Sequence, residues 1–366
     1  MSATQWLTFV PVAPGLEPAL AGEIESLLPG VKLKQRAGGV EFRVDLQGLM
    51  TVARRSRIAE SVRVRVARFE ARDFRTLEAG LNRVPWDAYV RRGAEPTIRV
   101  RARRSKLIHS DAIAERVGRA LERRGSGPGG PAPTVHVRLE KDRVQISIEA
   151  ADELLHQRGW RGKGGQAPLR ENLAAACLAL SGWDSEAPLW DPFCGSGTLI
   201  LEGLARRAPG LLEENQARQI QRWPIFDAET WSGLDRRCAE APMGGVLIGT
   251  DRDQEAIARA SANAARAGVA EVARFQVAAL TEVDSQIPPN AAVVTNAPYG
   301  KRLAGGKQLR RTCHELGRLL SHRTDLGPVV ALVGHERFER DTGLNWVTVV
   351  EFPNRGTRVR LVRLVR

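Results

Sequence analysis

Apolar and polar residues follow different patterns in the two halves of the chain, which predicts two kinds of fold. Before residue 155, segments of period two predict strands, and an apolar residue every three or four positions predicts helices. The clearest strands cover 40–44, 97–101 and 134–139, and the clearest helices cover 16–28 and 111–124. Because these elements do not alternate regularly, we predict small α+β units here.

From about residue 166, strands alternate with helices. Helical segments separate predicted strands at 189–191, 246–250, 291–295 and 329–333. This order is typical of a parallel sheet that is covered by helices on both faces. The last two strands, around Asn354, are predicted to form a hairpin.

The distribution of charge adds a functional difference between the halves. The chain has 55 Lys+Arg and 42 Asp+Glu, a formal net charge of +13. Residues 1–165 contain 30 basic and 19 acidic side chains, net +11, whereas residues 166–366 contain 25 and 23, net +2. A generally arginine-rich proteome would raise the charge of both halves. We therefore predict that the N-terminal half binds nucleic acid, because such a charge attracts polyphosphate backbones.

Several classes of protein are disfavoured. The chain has no segment like a signal peptide and no run of about 20 apolar residues that could span a membrane, so we expect a cytoplasmic protein without membrane contact. Its four cysteines are widely spaced and form no C-x-x-C pair, which argues against a zinc site or a disulfide framework. We expect no metal.

A basic strand and loop in the N-terminal half form the candidate nucleic-acid surface. Strand periodicity places Arg99, Arg101 and Arg103 on one face. The loop after this strand leads into the helix at 111–124, whose first backbone amides beside several cations form a natural phosphate site. A solvated charged loop is an equally consistent interpretation. The predicted RNA-binding residues are Arg101, Arg103, Arg104, Lys106 and His109.

The sharpest local signal is the segment D-P-F-C-G-S-G-T at 191–198, between a predicted strand and a helix. Ile200 stands where a dinucleotide-binding loop would have its third glycine, and no P-loop lysine follows, so phosphate binding is disfavoured. Asp191 at the strand end suits a ligand with a positively charged amino group, such as S-adenosylmethionine. The predicted cofactor residues in this segment are Asp191, Phe193, Gly195, Gly197 and Thr198.

Two further strand ends carry candidate site residues. Asp251 follows the strand at 246–250, where a carboxylate can bind both ribose hydroxyls, and Asp253 is the predicted N-cap of the next helix. T-N-A-P-Y-G at 295–300 resembles the N-P-P-Y motif of enzymes that methylate amino nitrogens conjugated to a ring.

The acceptor motif has a specific chemical purpose. The lone pair of a conjugated amine is delocalised, so two acceptors that hold its hydrogens help it towards an attacking geometry. The side-chain oxygen of Asn296 and the backbone carbonyl of Ala297 are the predicted acceptors. Tyr299 is predicted to stack on the extruded base.

With both motifs, the chain resembles the THUMP-domain family of RNA guanosine-N2 methyltransferases, which includes the large-subunit rRNA enzyme and tRNA-modifying relatives. Segments 104–116, 155–161 and 167–174 also resemble family segments in the same order, so the resemblance covers nearly the whole chain.

The resemblance implies an α/β fold class: a Rossmann-like, seven-stranded methyltransferase domain preceded by an α+β ferredoxin-like/THUMP RNA-binding region. The implied boundaries are 1–70 for the ferredoxin-like piece, 71–155 for the THUMP domain and 166–366 for the methyltransferase domain, whose last strand is antiparallel. The implied reaction methylates the 2-amino group of a guanosine in structured rRNA or tRNA, with S-adenosylmethionine as cofactor.

Two positions depart from the family pattern and keep alternatives open. Family members usually have proline where Ala297 stands, and segment 277–280 lacks the usual aspartate near the adenine amine of the cofactor. A catalytically weak RNA-binding or ribosome-assembly protein is therefore one alternative. An adenine-N6 methyltransferase acting on nucleic acid is another, because the acceptor motif serves either amine.

Overall fold

A computed structural model describes residues 5–124, 130–151, 154–162, 169–210, 218–236, 244–298, 306–354 and 356–366. The chain divides into two compact units. The first unit comprises Met1–Val12, Ala21–Leu155 and Ala217–Leu234, and the second comprises Ala13–Leu20, His156–Gln216 and Asp235–Arg366.

The first unit contains one mixed sheet. Its strands are β1 (Trp6–Pro11), β2 (Lys34–Arg36), β3 (Gly39–Val44), β4 (Arg63–Glu70), β5 (Ile98–Arg103), β6 (Val135–Glu140) and β7 (Arg143–Glu149). The helices of this part of the chain are α1 (Glu17–Leu27), α2 (Leu46–Arg55), α3 (Phe74–Leu81) and α4 (Ser110–Arg124). The strand order is β2-β3-β1-β4-β7-β6-β5, in which β5 and β6 pair in parallel and the other pairs are antiparallel.

One face of this sheet forms the core of the first unit. Val64 on β4 pairs with Ile148 on β7, which pairs with Val135 on β6, and all three are buried. Helices cover this face: the ring of Phe69 on β4 packs where a side chain at Gly80 of α3 would otherwise lie. The opposite face carries charged residues.

The C-terminal part of the chain contains the second sheet. Its strands are β8 (Leu189–Asp191), β9 (Leu247–Asp251), β10 (Ala273–Val277), β11 (Ala292–Asn296), β12 (Val329–Val333), β13 (Trp346–Asn354) and β14 (Thr357–Leu364). The helices are α5 (Glu171–Leu180), α6 (Thr198–Arg207), α7 (Ala228–Arg236), α8 (Gln254–Arg266), α9 (Gly306–His322) and α10 (Phe338–Thr342).

The order of the second sheet is β10-β9-β8-β11-β12-β14-β13, and β14 is antiparallel to both of its neighbours. Five neighbouring strands are parallel: β10, β9, β8, β11 and β12. Their carboxyl ends therefore share one edge of the sheet, where ligands bind in such folds. The predicted fold class is confirmed, including the seven strands, the antiparallel last strand and the α+β region that precedes them.

A segment that lies between α6 and β9 in the sequence packs in the first unit. The side chain of Gln219 accepts a hydrogen bond from the backbone N–H of Thr134 at 2.6 Å. Trp223 donates its indole N–H to the carbonyl of Glu149 at 3.2 Å and packs edge-on against Tyr89. The sequence range 166–366 therefore includes residues that belong structurally to the first unit.

Among the residues that the structure describes, no helix is both long enough and apolar enough to cross a membrane.

Candidate active site

The loop between β8 and α6 is shaped by glycines. Gly195 has φ +54° and Gly197, the N-cap of α6, has φ +81°, a left-handed conformation that other residues rarely adopt. A Cβ at Gly197 would lie 2.7 Å from the ring of Phe275, and a Cβ at Gly249 on β9 would lie 2.8 Å from the same ring. The aromatic ring fills the space that both glycines leave. This packing holds the loop against β9 and β10.

Asp191, the last residue of β8, is a buried carboxylate with two hydrogen bonds. The hydroxyl of Thr295 donates to it at 2.6 Å, and the backbone N–H of Phe193 donates at 3.2 Å. The pKa of Asp191 is raised to about 7, mainly by burial and also by the charge of Asp251, while the two hydrogen bonds limit the rise. A nearby positive charge would therefore be strongly favoured here.

Asp251, the last residue of β9, fixes the loop and keeps free acceptor capacity. Its two oxygens accept hydrogen bonds from the backbone N–H groups of Gly195 and Asp253, both at 3.0 Å. An ionised carboxylate offers about four lone-pair sites, so each oxygen can accept one more hydrogen bond. Asp253 accepts from the N–H of Glu255 at 2.9 Å, which confirms that it is the N-cap of α8.

A cavity of about 1150 Å³ lies at these strand ends in the second unit. Its size is that of a site for a cofactor-sized molecule. The predicted site residues that line it are Asp191, Phe193, Gly195, Thr198, Asp251 and Asn296. Gly197 and Ala297 do not line it, but Gly197 shapes the loop beside it and Ala297 lies between Asn296 and Pro298, which both line it.

Asn296 ends β11, next to β8 in the sheet, and its side-chain oxygen is buried with no hydrogen-bond partner in the described part of the chain. A buried acceptor without a donor costs free energy unless a ligand satisfies it. Ala297 is buried, and its N–H donates to the carbonyl of Leu332 on β12 at 3.1 Å. Tyr299, the predicted stacking residue, lies outside the described residues.

Arg161 was not predicted as a site residue, although it lies in a segment that resembles the family. Its guanidinium pairs with Glu171 on α5 at 2.8 Å, and it donates to the hydroxyl of Thr198 at 3.0 Å and to the carbonyl of Leu169 at 2.9 Å. Arg161 thus fixes the first residue of α6 beside the cavity that it lines. Only the fold reveals this role, because the partners are distant in sequence.

Asn263 on α8 also escaped prediction. Its side chain donates to the carbonyl of Ser196 at 2.9 Å and accepts from the N–H of Gly162 at 3.1 Å, so it joins the glycine loop to the segment before α5. The available signal was an asparagine within an alanine-rich helix. The hydroxyl oxygen of Ser196 borders the cavity and is buried without a hydrogen-bond partner among the described residues.

The segment without the usual aspartate forms an apolar wall. Ala278, Ala279 and Leu280 line the cavity. The N–H of Ala279 donates to the side chain of Glu282 at 2.9 Å, and that of Ala278 donates to the carbonyl of Asp251 at 3.0 Å. Both amides are therefore engaged within the protein, and apolar contact is what this wall offers to a ligand.

The predicted RNA-binding residues lie in the first unit and are all exposed: Arg101, Arg103, Arg104, Lys106 and His109. The backbone N–H of Lys106 donates to the Asp142 carboxylate at 2.7 Å, which anchors the loop after β5. Arg104 has φ +50°, so the loop turns sharply at the end of the strand. Their role in RNA binding stays a prediction.

Two family models match the chain. Residues 158–356 match the model of the RMKL-like methyltransferase domain, and residues 8–63 match that of the RlmL ferredoxin-like domain. A curated relative, the ribosomal RNA large subunit methyltransferase K/L of Syntrophotalea carbinolica, is 30% identical over 97% of this chain. The match covers 53% of that relative, so the chain spans about half the length of the curated relative.

Solved structures support the same fold. A structure from Listeria monocytogenes, described as a predicted N6-adenine-specific DNA methylase, has a TM-score of 0.84 and 25% identity, covering 98% of this chain and 96% of that one. A structure from Clostridium difficile, described as a possible methylase, has a TM-score of 0.83 and 27% identity, covering 99% of this chain and 98% of that one.

Proposed function

The chain belongs to the RMKL-like methyltransferase domain family, and from this premise we propose that it is an S-adenosylmethionine-dependent RNA methyltransferase. One observation carries the proposal: a single cavity brings together the carboxylates of Asp191 and Asp251 and the unpartnered acceptor of Asn296. The first two suit a cofactor, and the third suits an amine substrate. The name of the Syntrophotalea relative supports RNA as the substrate class.

The residues of the cavity fit this cofactor. Asp191 can accept hydrogen bonds from its ammonium group, the free lone pairs of Asp251 can accept from its ribose hydroxyls, and the unpartnered hydroxyl of Ser196 is available to its polar groups. Ala278 and Leu280 offer apolar contact to the adenine. Bound S-adenosylmethionine supplies an electrophilic methyl group.

Asn296 and Ala297 are proposed to orient the amine that receives the methyl group. The side-chain oxygen of Asn296 and the carbonyl of Ala297 accept the two hydrogens of an exocyclic amino group, which directs the nitrogen lone pair towards the methyl donor. Tyr299 is proposed to stack on the base. We propose the 2-amino group of a guanosine as the acceptor, in keeping with the guanosine-N2 family that the sequence resembles.

The first unit is proposed to bind structured RNA, either rRNA or tRNA. We propose a ferredoxin-like piece over 1–70, which the match at 8–63 supports, a THUMP region over 71–155 and a methyltransferase domain over 166–366. Its basic charge supports RNA as partner. Cytoplasmic location stays a prediction.

An adenine-N6 activity is the second candidate. The observation that favours it is the description of the Listeria structure as a predicted N6-adenine-specific DNA methylase. The acceptors at Asn296 and Ala297 would serve an adenine amine equally, so the product must decide.

Calorimetry with S-adenosylmethionine tests the cofactor site. We expect micromolar binding to the wild type, about 8 kcal/mol, and none to Asp251→Ala. Asp325→Ala, which removes an exposed carboxylate that does not line the cavity, is the matched control and should bind normally. Absence of binding to folded wild-type protein, with and without RNA, would contradict the proposal.

A second experiment identifies the acceptor. The protein is incubated with S-adenosylmethionine carrying a labelled methyl group and with unmodified rRNA, tRNA or DNA, and nucleosides are then separated by mass. Labelled N2-methylguanosine in RNA is the expected product. Labelled N6-methyladenosine would support the second candidate, and cofactor binding without methylation of any of these substrates would support an RNA-binding assembly protein.

A further inference from the structure

A row of arginines crosses the face of the first sheet that lies opposite its core. The register places Arg101 on β5 opposite Arg138 on β6, Arg138 opposite Gln145 on β7, and Gln145 opposite Arg68 on β4. Directly paired residues point to the same face of a sheet, so these four side chains form a line perpendicular to the strands. All three arginines are exposed. With about 4.8 Å between strands, the line is about 14 Å long.

The row carries more uncompensated charge than its neighbour. Arg103, Glu140, Arg143 and Glu70 form the next row, in which basic and acidic residues alternate, and Arg143 lies 3.9 Å from Glu70. In the arginine row, the fourth member is the neutral Gln145.

The partners of the three arginines leave them available. Arg68 donates to the neutral side-chain oxygen of Gln145 at 2.9 Å, and no carboxylate of the described chain pairs with Arg101. Arg138 pairs with Glu140, but the side chains are 65% and 42% exposed, and ion pairs this exposed contribute little and exchange readily.

The pKa of Arg65 reports the field on this face. Burial and, to a smaller extent, the positive charges of Arg68, Arg36 and Arg138 lower this pKa to about 10. Arg65 and Arg36 both pair with Glu41, so one carboxylate serves two guanidinium groups. Arg65 therefore lies in the positive field of arginines on β2, β4 and β6.

We propose that Arg68, Arg101 and Arg138, called here the arginine row, bind the sugar–phosphate backbone of RNA. The guanidinium group presents donors in a planar fork that matches phosphate oxygens. An acidic protein is a poorer fit, because protein interfaces depend on apolar or aromatic anchors and this row has none. Since phosphate contacts position a nucleic acid without reading its sequence, the row would orient RNA and leave base selection to other residues.

This inference rests on the proposed function, which supplies RNA as the substrate. It extends the predicted RNA surface beyond β5 and its loop, across β6 and β7 to β4. Arg68 and Arg138 did not follow from the sequence pattern, because only the sheet order brings their strands beside Arg101.

The test compares two triple variants with the same loss of charge. The test variant is Arg68→Gln, Arg101→Gln and Arg138→Gln. The control variant is Arg75→Gln, Arg83→Gln and Arg119→Gln, whose exposed arginines lie on or just after the helices α3 and α4 that cover the other face. Binding of a fluorescently labelled RNA hairpin to the full chain is measured by anisotropy at several salt concentrations, after thermal melts show that all proteins are folded.

We expect the test variant to bind at least about tenfold more weakly at low salt, and the slope of log affinity against log salt to fall by about 2 to 3. The control should keep the wild-type slope. An equal loss of RNA affinity in both variants would show that only net charge matters and would overturn the proposal. An unchanged RNA affinity of the test variant would overturn it too.

Three further outcomes separate this proposal from the proposed function and from a protein partner. If the test variant binds and methylates RNA as the wild type does, the arginine row is wrong and the function stands. If the wild type binds S-adenosylmethionine but not RNA, both the RNA substrate and the arginine row fail. If polyglutamate binds the wild type as tightly as RNA does, and the test variant loses this binding, the row is a surface for acidic proteins.

Discussion

The hydroxyl of Thr295 donates a hydrogen bond to the buried carboxylate of Asp191 at 2.6 Å. The two residues lie on neighbouring parallel strands, β11 and β8. Asp191 begins the proposed cofactor loop, and Thr295 directly precedes Asn296, the proposed amine acceptor. This hydrogen bond therefore connects the proposed cofactor site with the proposed amine site, so a change in the protonation of Asp191 should affect both sites.

The affinity for S-adenosylmethionine should depend on the protonation of Asp191. Its pKa is raised to about 7 in the free protein, and binding of an ammonium group requires the ionised form. We expect the affinity to fall about tenfold for each pH unit below about 7 and to level off above it. Calorimetric titrations at intervals of about half a pH unit, from about pH 5.5 to about pH 8, measure this profile.

Two variants control this profile. Asp191→Asn cannot ionise and should bind weakly with no dependence on pH in this range. Thr295→Val has the same shape without the donor, so the pKa of Asp191 should rise and the profile should shift to higher pH. A wild-type affinity that is constant across the range would show that Asp191 does not hold the ammonium group.

The ionisation of Asp191 should also affect stability, but a rise in pH should lower the stability of the free protein while it raises the affinity for the cofactor. The folded-state pKa of Asp191, about 7, lies above its ordinary value of 3.8, so between these values the folded protein binds more protons than the unfolded chain. The contribution of Asp191 to the free energy of unfolding therefore falls as pH rises from about 3.8 to about 7. Urea titrations of the wild type and Asp191→Asn should differ in this slope, and parallel curves would contradict the assignment.

Asn296→Ala should separate cofactor binding from methyl transfer. The side-chain oxygen of Asn296 has no protein partner in the described part of the chain, so its removal should leave the fold and the affinity for S-adenosylmethionine nearly unchanged. We expect kcat to fall about 10²- to 10³-fold, as for the loss of one oriented hydrogen-bonding group in other active sites. Wild-type turnover by the variant would remove Asn296 from the proposed mechanism.

The motifs were predictable because each is local. Asp191, Asp251 and Asn296 end three strands, and the carboxyl ends of parallel strands meet at one edge whatever the remaining sequence is. Arg161 and Asn263 were not predictable in the same way, because their partners come from other elements. The short helices α2, α7 and α10 and the strand β2 were missed too. The helix α10 and the strand β2 are too short to show a period, and tertiary packing decides them. The helix α2 does have an amphipathic period, with Leu49, Met50 and Ala53 buried, which was overlooked.

The segment 218–234 shows another limit of sequence reasoning. It lies within the stretch assigned to the methyltransferase domain, yet Gln219 and Trp223 bond to residues of the first unit. Nothing in its composition identifies these partners, since tryptophans and amides pack equally well in any domain. The decisive information is where folding places the N–H of Thr134 and the carbonyl of Glu149, to which these side chains bond.

Proline at position 297, the residue usual in the family, should destabilise this chain. The N–H of Ala297 donates to the carbonyl of buried Leu332, and proline has no N–H. Leaving that carbonyl unpaired should cost about 1 to 3 kcal/mol in Ala297→Pro. Ala297→Gly, which keeps the N–H, is the control and should cost at most about 1 kcal/mol. Denaturant unfolding measures both, and a proline variant as stable as the wild type would show that the bond contributes nothing.

Gly197 should be the less replaceable of two glycines that share a left-handed backbone. Gly197 has φ +81° and Gly343, the C-cap of α10, has φ +68°. Alanine at either position incurs about 1 to 2 kcal/mol of backbone strain. At Gly197 the new Cβ would also lie 2.7 Å from Phe275, whereas at Gly343 it would meet no atom of the described chain within 4 Å.

We therefore expect Gly343→Ala to lose about 1 to 2 kcal/mol of stability and Gly197→Ala to lose about 2 to 5 kcal/mol, since overpacking adds about 1 to 3 kcal/mol. Only Gly197→Ala should also weaken the binding of S-adenosylmethionine. The ring of Phe275 supports the loop in which Gly195 donates its N–H to Asp251, and the new side chain would displace this ring. Urea unfolding and calorimetry on both variants provide the comparison. Equal losses of stability would mean that the ring moves aside freely, and that left-handed geometry alone requires glycine at this position.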